Sequence, residues 1–500
     1  MELSRKQKLR LNAVTGLARQ LVSVVGAFIV PRLILKAFGS DVNGLVNSIT
    51  NFLSVISLLE SGISQVISSN LYKPLAENNN TEINRIFKSS QRFFSIIGMI
   101  LLGFAVILSF VYPLLINKEF EFLYVFPLVL ILALSLFAEY FIGFSYLIIV
   151  NADQRMYISQ SIGILTSILS TFITVILIRA GCGIHIVKMS VVLINLMQPV
   201  GLKLYADRRY HIDHKIQLAG EPIKQKWNGL AQHIAFIVTT RADTVILTFF
   251  STLANVSIYS VYNLVLSGLS GLLNSITGSI GPYFGNMIAK KEEGLQKSFD
   301  YIEWLLHTAV TFLFTVAGLL IVPFVSVYTR DISDAEYIEP LFAVVLTLAY
   351  TMRELRTPYT SVIFAAGHFK QTQWSSILEA VINITVSVAV VSRYGLVGVA
   401  VGTVCAMAYR TIYLVIYLSR NILFRPVTLF LRHFFVDALG TTVSVLLTVN
   451  RCHLCSSYME WLLLAVKIGL FTAIALLAVN GLFYRKYLLR SIKILHWRKS

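Results

Sequence analysis

The chain has 500 residues, of which 56% are hydrophobic and only 13% charged, with a formal net charge of +17. A soluble domain carries about 25% charge, and repeated apolar runs of 18 or more residues read as membrane spans, so the composition excludes an ordinary soluble enzyme and specifies a polytopic membrane protein. A basic balance alone would suit a nucleic-acid binder, but the placement of the charges, taken up below, removes that reading.

Apolar runs bounded by charged or turn residues predict fourteen transmembrane helices, at 11–36, 42–72, 88–116, 121–150, 156–180, 184–206, 225–252, 255–288, 302–328, 336–366, 372–394, 396–420, 433–450 and 459–484. The first run follows Arg5, Lys6, Lys8 and Arg10 in the manner of a signal peptide. It is too long for one and no small-residue cleavage site closes it, so it is read as a retained span. Between Leu33 and Tyr72 an apolar helix ends, Gly39-Ser40-Asp41 turns the chain, and a second helix leaves carrying scattered Asn and Ser and one acid, Glu60. Pro199, Pro282 and Pro358 fall inside the runs and are expected to kink them.

The pattern recurs. Phe249 to Asn263 repeats the opening turn and helix start, Glu82 to Phe87 matches Gly294 to Phe299, Asn151 to Arg155 matches Ala366 to Lys370, and Gly181 falls opposite Gly395. An even number of helices separates the copies, so two parallel six-helix repeats are expected, an arrangement used by alternating-access transporters. The expected organisation is an N-terminal bundle over 1–206, a cytoplasmic linker over 207–222, a C-terminal bundle over 223–420, and two additional helices with a basic tail over 421–500.

Orientation follows from the Lys/Arg bias of the connections. With the N-terminus inside, 28 of the 42 Lys and Arg residues lie on the cytoplasmic side, six outside and eight within spans. Both termini are then cytoplasmic and the basic balance is topological, with no nucleic acid required. Of the eight within spans, Arg32, Lys188, Arg410 and Lys467 lie toward helix ends, where snorkelling to the interface accounts for them.

Arg19, Arg241, Arg353 and Arg356 lie deeper, where a charge faces a cavity or a partner. Arg353 and Arg356 share a helix face just before Pro358, and guanidinium forks match phosphate oxygens. The competing reading has Glu354 and acids on neighbouring helices neutralising them. Arg241 and Asp243, two residues apart, point to different sides and each needs another partner. Glu60, Glu139, Asp243 and Glu354 are read as the acids nearest mid-span, either counter-ions for the arginines or sites that trade a proton or Na⁺. His307 is expected to be a hydrogen-bonded packing residue rather than a proton relay.

Cys452-His453-Leu454-Cys455 has CxxC spacing but lacks the second half of a zinc site, so no metal is assigned. No nucleotide motif of the GxxxxGKS type is present, no cofactor is called for, and the exterior loops are too short to build a catalytic site, so an enzyme is not expected.

Residues 11–92, with Phe38-Gly39-Ser40-Asp41-Val42-Asn43-Gly44-Leu45 and Leu58-Leu59-Glu60-Ser61-Gly62-Ile63, together with Asn151-Ala152-Asp153-Gln154-Arg155, resemble the polysaccharide and oligosaccharide flippases, of the O-antigen or capsule repeat-unit type, in the multidrug/oligosaccharidyl-lipid/polysaccharide transporter superfamily. The likeness fades after about residue 420. It implies two bundles around a central cavity, membrane lipids as surroundings, and an isoprenoid-linked sugar pyrophosphate carried outward across a bacterial inner membrane, alongside glycan-assembly proteins and with H⁺ or Na⁺ as coupling ion. The alternatives are a multidrug or small-cation antiporter of the same superfamily and a membrane enzyme of glycan assembly.

Overall fold

The computed structural model describes residues 5–56, 63–116, 119–213, 216, 230–278, 280–290 and 293–497, and among these there is no strand. The chain divides into two compact units, Met1–Ile237 and Val238–Ser500.

The first unit contains α1 (Arg5–Ser54), α2 (Ile63–Ala76), α3 (Asn80–Leu115), α4 (Phe122–Ala138), a π-helical turn (Glu139–Gly143), α5 (Phe144–Ala152), α6 (Met156–Arg179), α7 (Ile184–Asn195) and α8 (Met197–Tyr210). Gly39, at φ 85° and ψ 174°, divides α1 into the two spans read from the sequence. Only glycine reaches that region without a Cβ clash. The first span packs along α6 through small residues: a Cβ at Gly26 would lie 3.2 Å from the Thr171 hydroxyl, and one at Gly163 would lie 2.8 Å from the Arg19 guanidinium carbon. Small residues let backbones approach where lipid supplies no hydrophobic drive. The opposite face of the span, with Val14, Leu17, Leu21 and Val25, is exposed. That is an apolar surface toward lipid and a polar seam inward.

The α5–α6 turn locks the N-terminus of this unit. Asp153 accepts hydrogen bonds from Lys8 Nζ (3.1 Å), Arg155 Nε (2.6 Å) and the Tyr210 hydroxyl (2.9 Å). Burial pushes the Asp153 carboxyl up, but these three donors outweigh it and hold the group below the usual aspartate range.

α9 (Leu230–Phe250) runs across the boundary, and the second unit continues with α10 (Leu253–Thr277), α11 (Ile280–Ala289), α12 (Leu295–Tyr328), α13 (Pro340–Leu355), α14 (Thr357–Ala365), α15 (Phe369–Asn421), α16 (Thr428–Thr448), a 3₁₀ turn (Val449–Arg451), α17 (Tyr458–Phe483) and α18 (Arg485–Trp497). Gly395, at φ 51°, folds α15 back on itself as two antiparallel spans. At Gly398 a Cβ would lie 2.8 Å from the Val390 carbonyl.

The repeat is visible in the backbone. Left-handed residues Gln154 and Gly367, Gly181 and Gly395, and His211 and Phe424 stand in matching places of the two units. The turn bonds of Asp153, Gln154 and Arg155 recur in Ala366, Gly367 and His368. The fourth span of each unit is interrupted in the same register, by the π-turn ending at Gly143 and by the break at Arg356. Helices also break just ahead of Pro199, Pro282 and Pro358, because proline cannot donate to the carbonyl four residues back.

Among the described residues ten helices are long and apolar enough to cross a membrane. α1 and α15 each supply two spans, and α9 and the interrupted α13–α14 pair bring the number to the fourteen expected.

Candidate functional site

Three buried polar centres stand out in the second unit, and the antiparallel fold of α15 builds two of them. Its first limb carries Glu379, Asn383 and Ser387 at four-residue spacing, one face of a helix. The return limb brings Val399, Thr403 and Arg410 against that face.

Asp243 of α9 sits at the first centre, 3% exposed. Its carboxylate accepts from Thr403 Oγ1 (2.8 Å), the Tyr259 hydroxyl (3.0 Å) and Asn383 Nδ2 (3.3 Å). Ser387 donates to the Val399 carbonyl (3.2 Å), and Asn383 also donates to Thr403 (3.1 Å). Asn383 is fully buried, yet its Oδ1 has no partner among the described residues. The donors to Asp243 are all neutral, so among the described residues no ion pair offsets its charge. Arg241, two residues away, is exposed, and its charge acts on Tyr259, a donor to Asp243, and on Tyr350.

The second centre is Glu379. Its carboxylate lies 2.5 Å from Arg356 Nη1 and 3.7 Å from Arg410 Nε. Arg410 also donates to the Thr372 carbonyl (2.9 Å) and to Ser375 Oγ, and is 4% exposed. The expectation that Arg410 snorkels to the interface is therefore wrong: the α15 return limb turns it inward, onto a carboxylate the sequence reading overlooked. Arg353 pairs with its neighbour Glu354 (Nε to Oε1, 3.6 Å) and lies over the Tyr350 ring at 5.6 Å. The helix ends at Leu355, so Arg353 and Arg356 do not share a continuous helix face, and their guanidinium groups have separate carboxylate partners. Their side chains remain 26% and 13% exposed, against 4% for Glu354.

In the first unit Arg19 lies against Gly163, and its charge acts on the Glu139 carboxylate of the π-turn. Glu60 lies outside the described residues.

Sequence reasoning missed Glu379, Asn383 and Thr403, and with them the third centre, around Glu303 and Arg425. The signal for the first two was the polar four-residue spacing along the eleventh span. Outside the spans, His453 Nε2 meets Glu460 Oε1 at 3.1 Å beside Cys455, but Glu460 also accepts from Ser456 N–H (2.7 Å) at the start of α17. That is a helix-capping arrangement.

The sequence matches no protein-family model and no curated protein sequence. Solved structures do match. The lipid II flippase MurJ, in an inward closed conformation, superposes with a TM-score of 0.70 at 15% identity, over 96% of this chain and 99% of that one. The MATE transporter VcmN of Vibrio cholerae, in a single-substitution form, gives 0.53 at 14% identity over 84% of this chain and 98% of its own. The eukaryotic MATE transporter AtDTX14 gives 0.56 at 12% identity over 82% and 96%. The chain thus has the all-helical fold of a lipid flippase and of multidrug transporters.

Proposed function

We propose that the chain is a flippase carrying a lipid-pyrophosphate-linked oligosaccharide from the cytoplasmic to the outer leaflet of a bacterial inner membrane by alternating access, with both termini cytoplasmic. The observation that carries this reading is the full-length likeness to a lipid II flippase, 96% of this chain against 99% of the other, where the two MATE transporters cover only 84% and 82% of this chain. The Lys/Arg bias of the connections supports the orientation.

The cargo's anionic group is assigned to the deep arginines Arg19, Arg241, Arg353 and Arg356. Support comes from Arg241, which is exposed, and from Arg353 and Arg356, which keep part of their surface while paired to single carboxylates. A guanidinium fork offers two parallel N–H donors to phosphate oxygens. Glu139 and Glu354 act as counter-ions in this scheme, and Glu60 keeps its assignment to ion coupling or charge balance.

Ion coupling is assigned to Asp243. Hard cations take oxygen ligands, and the buried Asp243 carboxylate, the Thr403 hydroxyl bound to it and the unpartnered amide oxygen of the neighbouring Asn383 supply oxygen donors. Na⁺ fits that donor set as a transported ion; a proton on Asp243 is the simpler alternative. Either ion shifts the conformational equilibrium only by its differential affinity for the two states.

Deleting the gene tests the reading. Lipid-linked oligosaccharide should accumulate on the cytoplasmic leaflet while the matching surface polysaccharide falls. Normal surface glycan together with lost resistance to cationic drugs would establish the antiporter instead.

A further inference from the structure

We propose that His307 is a proton-binding site, shared between α12 and the additional helix α16, and separate from the Asp243 centre. α12 carries Asp300, Glu303 and His307 along one side, and α16 brings His433 and Asp437 to meet them. His307 Nδ1 lies 2.5 Å from Asp437 Oδ2. The His307 and His433 rings are 5.1 Å apart, and His433 Nε2 lies 3.7 Å from Glu303 Oε2. Glu303, fully buried, is gripped by Arg425 through both oxygens (2.5 and 2.7 Å) and accepts from the Tyr359 hydroxyl. Arg425 also reaches Asp300 at 2.7 Å. Tyr484 stacks on His433 at 5.0 Å, with the Arg432 guanidinium 5.0 Å from the tyrosine ring and Tyr487 beside it.

Charge balance makes this more than packing. Three carboxylates, Asp300, Glu303 and Asp437, face one guanidinium inside the cluster, so two negative charges stand uncompensated while both imidazoles are neutral. A proton on His307 removes one, at the histidine whose Nδ1 already meets Asp437. A metal ion would be repelled by Arg425 in the same cluster, whereas a proton needs no extra ligands.

A second observation is independent of charge. His307 Nε2 is buried with no partner among the described residues, and so is the Thr311 hydroxyl one turn further along α12. Buried polar atoms mostly find partners, so a bare imidazole nitrogen calls for an explanation. The unpaired Nε2 is the position from which a proton arrives or leaves. Asp300 and Asp437, 22% and 15% exposed, form the open rim of the cluster.

The existence of the site does not rest on the cargo assignment; its use as a coupling site does. Full-length protein in lipid nanodiscs, labelled with ¹⁵N-histidine, is titrated between about pH 5 and 8 by NMR, the range in which histidine changes charge. The chain has nine histidines, so single substitutions assign the signals. The expected result is one titrating signal that disappears in His307→Gln, persists in His433→Gln, and moves down by about one pH unit or more in Asp437→Asn, where the opposite charge is lost. Should His307→Gln fail to fold, Asp437→Asn carries the test. A His307 signal that never titrates, or one whose midpoint ignores Asp437→Asn, overturns the proposal. Failure of the flippase reading would show in the gene-deletion experiment and leave this titration unchanged.

Discussion

Asn383 donates one amide hydrogen to Asp243 and another to Thr403, while its own Oδ1 meets nothing among the described residues. A buried amide spends both donors on oxygens and leaves its acceptor bare, beside a carboxylate with only neutral partners. Such an arrangement is costly as it stands, since an unsatisfied buried polar group loses about 1–3 kcal/mol. A small cation placed among these oxygens would satisfy both groups at once.

Na⁺ should therefore stabilise the purified protein against heat more than K⁺ or choline at equal ionic strength. Ligand linkage gives about 2.7 kcal/mol at a hundredfold excess over Kd. Asp243→Asn and Asn383→Ala should each abolish the difference. Equal melting temperatures in all three salts would leave the proton as the ion at Asp243.

The same centre depends on how tightly α15 folds on itself. A Cβ at Gly402 would touch Ser387 Oγ and lie 2.7 Å from the Ser387 backbone nitrogen and 3.0 Å from the Asn383 carbonyl. Backbone atoms cannot swing aside, so the two limbs must part. Gly402→Ala should cost about 1–3 kcal/mol of stability, as overpacked cores do, and also weaken the Na⁺ response by displacing Asn383. A variant that melts like the wild type would show that the limbs are not packed this closely.

The Asp153 latch makes a pH-dependent contribution whose sign is fixed by its donors. Its carboxyl is held below the ordinary value, near 3.9 in an unfolded chain. The stabilisation is therefore complete above the unfolded value and fades as pH falls through the folded one. Asp153→Asn should destabilise the protein by about 1–3 kcal/mol at neutral pH, and the gap from wild type should close below about pH 4. A gap that stays constant with pH would mean the charge is irrelevant.

Much of the fold was legible because a membrane imposes simple rules. Apolar length gave the spans, and the turns at Gly39, Gly181 and Gly395 sit where the sequence placed them. Pro199, Pro282 and Pro358 marked three interruptions, whereas Pro31, Pro113, Pro127 and Pro323 lie inside continuous helices and the π-turn Glu139–Gly143 holds no proline. The site was harder to read. Asp243 and Arg356 could be singled out as deep charges, but two of the three partners of Asp243 and the carboxylate partner of Arg356 lie on α15, 140 residues from Asp243 in the case of Asn383. Arg410 was misjudged for the same reason. Position along a helix says how deep a residue lies, whereas the packing of the next limb decides whether it snorkels or turns inward.

Exposure of the α16–α17 connection supplies a test of orientation. Cys452 is half-buried and Cys455 5% exposed, and burial raises both thiols, with the Glu460 charge adding to the rise at Cys455. With Cys182 and Cys405 replaced, an impermeant maleimide applied to intact cells should label Cys452 slowly and Cys455 hardly at all. Labelling that requires lysis would place this connection, and the end of α16, in the cytoplasm.

Glu379 separates a structural role for Arg356 from a cargo-binding one. Its carboxylate stands between Arg356 at 2.5 Å and Arg410 at 3.7 Å, so the trio carries one net positive charge. Glu379→Gln leaves two guanidinium groups facing each other and should cost about 3–5 kcal/mol, the usual result of breaking a buried pair. Arg356→Ala leaves Glu379 still matched by Arg410, and should fold and accumulate normally. Arg410→Ala removes the more buried of the two, with its bonds to Thr372 and Ser375, and should destabilise more than Arg356→Ala. If Arg356 and Arg353 hold the cargo's anion, alanine at either should nonetheless abolish transport, a loss on the order of 2–5 kcal/mol in binding. Lysine should rescue in part, keeping the charge and losing the fork. Full transport by the double alanine variant at normal protein level would leave these arginines a structural role alone.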